Sequence, residues 1–296
     1  MDGWVILDKD SGVSSRHAGA RVARIFGEKK FGHIGTLDPM ASGVLPIAIG
    51  RATKTIPFVE NAHPETKEYL FDVVFGFSTD TLDITGEKNA DGGRVPTIDE
   101  IRDVLPTFTG EISQIPPAFS AVHVNGVRAY DAARRGVMID IPPRLVTVYL
   151  LECTGETNGT FHFRMRCSRG TYVRSIARDI AKHIGTIATV SMICRTESGP
   201  FTLDLAVKLD FLENLVNNGT AIDKYLLPSE NWLWGMSVIS LTCDKDIELF
   251  KNGGFVTISQ EDKCCDDGGL YKVYAGCEFI GIGVFTDGFL RPKRII

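Results

Sequence analysis

Two stretches of the chain alternate residue by residue. In YLFDVVFGF, the residues Tyr69, Phe71, Val73, Phe75 and Phe77 fall on one side, and in FHFRMRC, Phe161 to Cys167, apolar and basic residues alternate in the same way. A period of two belongs to a strand with one buried face. Such strands must be covered, and the covering segments carry helical spacing. Ala18, Val22, Ile25 and Phe26 share a face behind a cap at Ser14 or Ser15, and Gly27 ends that helix. Val173, Ile176, Ala177, Ile180 and Ile184 form a second stripe that stops at Gly185, with Arg174 and Arg178 four apart on a neighbouring face. Thr97-Ile98-Asp99-Glu100 is a capping box opening a helix through Leu105. Trp4 to Leu7 is a short buried strand. Helices and strands mix without a regular βαβ period, which predicts an α+β fold with a mixed, mainly antiparallel sheet flanked by helices and loops.

Between Gln114 and Gly136 lies a long segment with Pro116-Pro117, Gly126 and clustered basic residues, in which Tyr130 to Arg135 has helical potential. An insertion of that length inside a domain is usually functional. Beyond residue 230 glycine turns separate short strand candidates, Phe255 to Ile258, Leu270 to Tyr274 and Glu278 to Phe285, after a short helix from Asp246 to Lys251. This predicts a small β-rich C-terminal module over 231–296, near the lower size limit for an independent core.

No apolar run reaches the roughly 18 to 20 residues of a membrane span. MDGWVILDKDSG has no basic n-region, so a cytoplasmic location is the default expectation. The seven cysteines include no C-x-x-C, and the adjacent Cys264-Cys265 has poor zinc geometry, so reduced, mostly buried thiols are expected. A net charge of −5 argues weakly against nucleic acid. Three basic runs argue the other way: Arg164, Arg166, Arg169, Arg174 and Arg178; Arg16, Arg21, Arg24, Lys29 and Lys30; and Arg291, Lys293 and Arg294.

The candidate chemistry centres on FGHIGTLDPMASGVLPIAIG. Asp38 is a lone carboxylate held out of helical geometry by Pro39, and Gly35 and Gly43 permit tight backbone paths and close approach of a ligand. Either an Asp-Pro turn or an ionised nucleophile or base satisfies these features. The phosphate-loop, H-E-x-x-H, G-x-S-x-G and dinucleotide-binding patterns are all absent.

Taken together, five segments decide between the readings. Gly32-His33 with Gly35-Thr36-Leu37-Asp38-Pro39 and Ala41 to Pro46 closely resembles the catalytic motif of the TruB family of tRNA pseudouridine synthases. Lys67-Glu68-Tyr69 resembles that family's tyrosine motif. Gln114 to Ala121, with Tyr130, Ala133-Arg134 and Gly136, resembles its RNA-gripping insertion, here about 111–145. Ser168 to Ser175 resembles its arginine motif, and Arg195, Gly199 and Phe201 its closing segment. Gly281-Ile282-Gly283 and Leu290 to Arg294 resemble a PUA RNA-binding domain.

The resemblance implies a pseudouridine-synthase-like catalytic domain over 1–230 and a PUA-like domain over 231–296. The implied enzyme converts the T-loop uridine of tRNA, conventionally position 55, to pseudouridine, and assists tRNA folding as a second role. Asp38 is the implied catalytic carboxylate, Tyr69 the ring that stacks on the extruded base, and Arg174 the cation that holds Asp38 ionised. His33 would occupy the space the base vacates, and Ile193 would pack near the uracil. Lys29, Lys30, Arg128, Arg134, Arg135 and Arg169 are the candidate phosphate contacts. No cofactor, metal, membrane or obligatory protein partner is implied, and a monomer is expected. Departures from the family pattern are His123 for a frequent Lys, Ile193 for a common Leu and Glu68 for a frequent Arg. A non-catalytic RNA-binding protein and a synthase acting on another RNA are the competing readings.

Overall fold

The computed structural model describes residues 1–63, 66–124, 126–137, 139–258 and 266–296. Cys264-Cys265 lies outside the described residues. In chain order the elements are β1 (Gly3–Lys9), α1 (Ser15–Ile25), β2 (Phe31–His33), β3 (Ser42–Ile49), α2 (Ile56–Ala62), β4 (Thr66–Phe75), β5 (Phe77–Thr79), β6 (Lys88–Asp91), α3 (Ile98–Val104), β7 (Gly110–Gln114), β8 (His123–Val124), β9 (Val127–Arg128), α4 (Ala129–Ala133), β10 (Arg144–Thr157), β11 (Thr160–Ser168), α5 (Val173–Ile184), β12 (Ala188–Ser198), β13 (Phe201–Thr202), β14 (Val207–Lys208) and α6 (Leu209–Asn217). They are followed by β15 (Ser237–Leu241), α7 (Asp244–Lys251), β16 (Val256–Thr257), β17 (Leu270–Ala275), β18 (Glu278–Thr286) and β19 (Phe289–Ile295).

The main sheet runs β14-β1-β3-β12-β4-β11-β10-β7, with β2 paired to β3 and β13 to β12. Among the described strands of this sheet only the β1–β14 and β12–β3 pairs are parallel, so the sheet is mixed and mainly antiparallel as its alternation implies. Residues Tyr69, Phe71, Val73 and Phe75 of β4 are buried with Phe161, Phe163 and Met165 of β11 against the apolar faces of α1 and α5. Phe71 and Phe163 stack at 5.0 Å, and each such aromatic pair adds about 0.5–1.5 kcal/mol beyond its burial. Phe77 departs from the expected stripe. Gly76 turns the chain at φ +103°, so Phe77 begins β5 and lies half-buried under Lys88.

Ser14, not Ser15, caps α1 by accepting from the His17 amide at 3.2 Å. The Thr97 capping box forms with both of its hydrogen bonds. Arg174, on the face beside the apolar stripe of α5, is only 3% exposed. The insertion folds over it: Gln114 brackets the Tyr172 backbone, and Ser175 donates to the Ile115 carbonyl at 2.8 Å.

The opposite face of the sheet packs Trp4, Ile6, Val44 and Ala48 onto Phe201, Trp232, Leu233 and Ile282. Ile282 belongs to the second sheet, ordered β15-β17-β18-β19-β16. The C-terminal segment therefore shares a core with the main sheet while keeping its own small cluster around Phe250, Val273 and Leu290. β15 and β19 were not among the sequence candidates, since Ser237–Leu241 and Phe289–Ile295 are short and rich in polar residues. The described cysteines are free; Cys153 and Cys167 are buried, but Cys243 and Cys277 are exposed, against the expectation of mostly buried thiols. Among the described residues no helix is long and apolar enough to cross a membrane.

Candidate active site

The segment that carries Asp38 leaves the sheet at His33 and rejoins it at Ser42. Its backbone is tied down from several directions. Ser15, buried in the first turn of α1, donates to the Leu37 carbonyl at 2.9 Å and accepts from the Leu37 amide at 2.8 Å. Lys9 and Gly12 both reach the Pro39 carbonyl, and Ser11 donates to that of Met40. The Ala41 amide bonds the Asp38 carbonyl at 3.1 Å, closing a turn with Asp38 at its first corner. Asp38 therefore does begin a turn, as its Asp-Pro pair predicts.

Gly43 explains why the loop needs glycine at its exit. Its φ is +98°, and a Cβ there would lie 2.2 Å from the Arg195 carbonyl oxygen on β12. We expect Gly43→Ala to destabilise the protein by about 3 kcal/mol through positive-φ strain and backbone overlap. Gly155→Ala, where the added methyl meets open space, should change stability by less than about 0.5 kcal/mol. Urea unfolding of the two variants checks the contrast.

Asp38 Oδ2 lies 2.7 Å from Arg174 Nη2. Arg174 rises from the first turn of α5, and its guanidinium spans four acceptors. Nη1 donates to the Thr81 carbonyl at 2.7 Å and faces Asp83 Oδ2 at 3.5 Å, while Nη2 donates to the Phe119 carbonyl at 3.0 Å. Burial raises the Asp38 pKa above the usual aspartate value; the Arg174 charge and hydrogen bond pull the other way, and Asp83 adds to the rise. Arg174 therefore offsets a desolvation cost that would otherwise favour the protonated carboxyl.

Asp83 was missed from sequence. It is 4% exposed, and its Oδ1 accepts from the Thr81 hydroxyl and from the Thr85 amide and hydroxyl. The dense Thr, Asp and Gly content of 78–86 signals a turn, but nothing local says that this turn meets α5. Arg195, quoted only in the closing segment, is a second omission from the site. It is wholly buried, donating through Nε to the Val44 carbonyl at 2.8 Å and through Nη2 to that of Gly35 at 2.7 Å.

Tyr69 is 7% exposed and lies opposite Arg195 across the β4–β12 pair. Burial pushes its phenol up to about 12 against the pull of the Arg195 guanidinium. His33, at the end of β2, bonds the Thr36 hydroxyl at 3.0 Å, and burial beside Arg195 lowers its pKa. Ile193 is buried on β12 in the same apolar cluster as Leu37, Tyr69 and Val173.

The candidate phosphate contacts separate into groups. Arg128, Arg134 and Arg135 line one open groove of the insertion with His123. Arg134 stacks on Tyr130 at 4.4 Å, and Arg128 donates to His123 Nε2 at 3.3 Å. Lys29 and Lys30 are exposed between α1 and β2, and Arg169 is exposed on the turn after β11. Ion pairs interrupt two of the three basic runs. Arg164 pairs with Glu68 at 2.8 Å, Arg21 with Glu213 at 2.6 Å and Arg178 with Asp179 at 2.8 Å. Glu68, an atypical residue in its motif, also accepts from Thr196 at 3.0 Å. It is thus built into a polar cluster on β4, β11 and β12. Among the described residues no group of three or more His, Cys, Asp or Glu is placed to hold a metal ion.

Known proteins with this sequence pattern form a consistent set. Residues 23–173 match the TruB family pseudouridylate synthase N-terminal domain, 174–233 the tRNA pseudouridylate synthase B C-terminal domain, and 244–296 the C-terminal domain of pseudouridine synthase II TruB. The tRNA pseudouridine synthase B of Bradyrhizobium diazoefficiens is 38% identical over the whole chain and 86% of its own length. That of Rhizobium meliloti is 36% identical, covering 100% of this chain and 95% of the relative. Among solved structures, a Cbf5-Nop10-Gar1 complex contains a chain that superposes with a TM-score of 0.65 at 26% identity, covering 96% of this chain and 78% of that one. A chain of an archaeal box H/ACA sRNP Nop10-Cbf5 complex shares the fold at the same TM-score, with 24% identity and coverage of 99% and 85%. With profile matches from residue 23 to the C-terminal strand and full-length relatives above one-third identity, the chain belongs to the TruB family of pseudouridylate synthases.

Proposed function

We propose that the protein isomerises the T-loop uridine of tRNA, position 55, to pseudouridine. The observation that carries this reading is the Asp38 carboxylate held 2.7 Å from a buried Arg174 on a loop of the family's catalytic pattern. In the reaction the N1–C1′ bond of uridine breaks and a C5–C1′ bond forms, while C5 loses a hydrogen and N1 gains one. The balance closes within the substrate and water, without an oxidant, a reductant or a cofactor.

The target nucleotide must leave the loop stack before a side chain reaches its sugar bond. Asp38 then supplies the carboxylate that begins the exchange, kept ionised by Arg174. Tyr69 stacks on the uracil and Ile193 forms the apolar wall, while His33 fills the vacated space. Arg128, Arg134, Arg135, Lys29, Lys30 and Arg169 contact phosphates and position the RNA without reading its sequence. T-loop shape and splayed bases supply the specificity.

In this reading residues 1–230 form the catalytic unit, with 111–145 gripping the RNA, and 231–296 form a PUA-like RNA-binding unit. The protein works as a cytoplasmic monomer without an obligatory protein partner. Assistance to tRNA folding is compatible with the same grip on the T-arm.

Incubation of unmodified tRNA with the purified protein, followed by pseudouridine mapping, tests the assignment. Modification at the T-loop uridine is expected; an untouched T-loop alongside modification of another RNA would overturn the substrate and leave the chemistry standing. For Tyr69→Phe we expect turnover to fall more than RNA binding, because the lost hydroxyl faces Arg195. Unchanged turnover would confine Tyr69 to stacking.

A further inference from the structure

Ile34, Gly35, Val59, Lys67, Arg169 and Phe201 line a small, half-enclosed cavity of about 60 Å³ next to the loop that presents Asp38. Lys67 stands on β4 two residues before Tyr69 and therefore on the same side of the strand. A Cβ placed on Gly35 would lie 2.9 Å from Lys67 Nζ and 3.0 Å from Arg195 Nη1, so two cationic nitrogens converge on one face of Gly35. Among the described residues, Arg195 Nη1 is buried without a hydrogen-bond acceptor, while the Arg195 guanidinium also meets the Tyr69 hydroxyl.

Two cations brought together out of water repel and are each desolvated. Here the arrangement has a measurable consequence, since burial and the Arg195 charge push the Lys67 ammonium down to about 8, with Arg169 acting in the same direction and Cys167 and Glu60 opposing. An anion received at Lys67 Nζ would reverse this penalty.

The other walls are mainly apolar, with the Glu60 carboxylate among them. Ile34, Val59 and Phe201 are apolar. His63, also on the cavity wall, bonds the Trp232 carbonyl through Nε2 at 2.6 Å. A carbonyl only accepts, so Nε2 carries the proton. The neutral ring then leaves Nδ1 buried and without a partner among the described residues.

We propose that this cavity is a phosphate subsite, in which Lys67 Nζ on its wall, with the buried Arg195 charge behind it, receives a backbone phosphate of the RNA strand beside the extruded uridine. It rests on the reading of the substrate as RNA. It adds Lys67, a motif residue with no role so far, to the binding machinery.

The test measures binding of labelled, unmodified T-arm RNA to the full chain over a salt series. For Lys67→Met we expect binding about tenfold weaker at low salt and a log–log salt slope shallower by about one. Lys67→Arg keeps most of the affinity. A second arm uses the wild-type protein alone, with T-arm RNAs carrying one neutral methylphosphonate at a time. Wild-type affinity should fall as pH rises through about 8, and one methylphosphonate position near the target uridine should abolish that fall. Wild-type affinity and slope in Lys67→Met, or a pH dependence that survives at every methylphosphonate position, overturns the subsite. Pseudouridine formation is followed in the same preparations. A protein that modifies the RNA yet fails these tests loses the subsite alone, whereas one that binds no T-arm RNA overturns both readings.

Discussion

Asp38→Asn should remove pseudouridine formation, by about 10⁴-fold or more, while leaving affinity for unmodified tRNA within about threefold. The asparagine has the shape of the aspartate and can still bond Arg174, and the loop around it is held by other groups. Ser15 grips both backbone atoms of Leu37, and Arg195 grips the Gly35 carbonyl. What is lost is the negative charge and the electron pair it offers to the substrate. Arg174 keeps Asp83 and the Thr81 and Phe119 carbonyls, so the fold should tolerate the change. Single-turnover assays beside equilibrium binding separate the two effects. Full turnover by the variant would falsify the role given to Asp38.

Arg174→Met should cost both activity and stability. The methionine fills much of the space but leaves two carbonyls without donors and strips the 3%-exposed cation from Asp83, which is itself 4% exposed. Removing one partner from such a buried pair costs about 3–5 kcal/mol. The sign of the accompanying pH effect follows from the causes at Asp38. Burial and Asp83 raise its pKa, and Arg174 is the principal group pulling it down. Without Arg174 the pKa rises further, so the acid limb of the pH–rate profile moves to higher pH and residual activity recovers on the alkaline side. Arg174→Lys retains the charge, but one ammonium does not span four acceptors as a planar guanidinium does. It should rescue the pH profile in part and the stability less. An acid limb that stays in place in Arg174→Met sinks the claim that Arg174 tunes Asp38.

The sequence motifs and the geometry meet unevenly. Strands that bury one face announced themselves by alternation, and α1, α3 and α5 by apolar stripes and caps, because those signals arise from neighbours within a few residues. The loop of Asp38 was also legible, since Gly35, Pro39 and Gly43 restrict its backbone locally. Phe77 was misplaced because a single glycine at φ +103° interrupts the strand without breaking the hydrophobic pattern.

The residues that escaped notice depend on contacts between distant parts of the chain. Asp83 meets Arg174 only because the 78–86 turn folds against the first turn of α5, and Ser15 reaches Leu37 across 22 positions. Arg195 bonds Gly35 from 160 positions away. Arg174 sits off the apolar stripe of its helix, so spacing alone points it outward. The insertion that covers it is fastened through Gln114, Ile115 and Phe119, and no local pattern encodes that docking. By itself, then, the sequence determined most strand and helix types and the family, and it singled out Asp38 as the candidate carboxylate. The tertiary structure alone decided which charges are buried, which are paired, and which cation, Lys67, lines a cavity with the buried Arg195 behind it. Electrostatic energy depends on distance and desolvation in space, and neither follows from order along the chain.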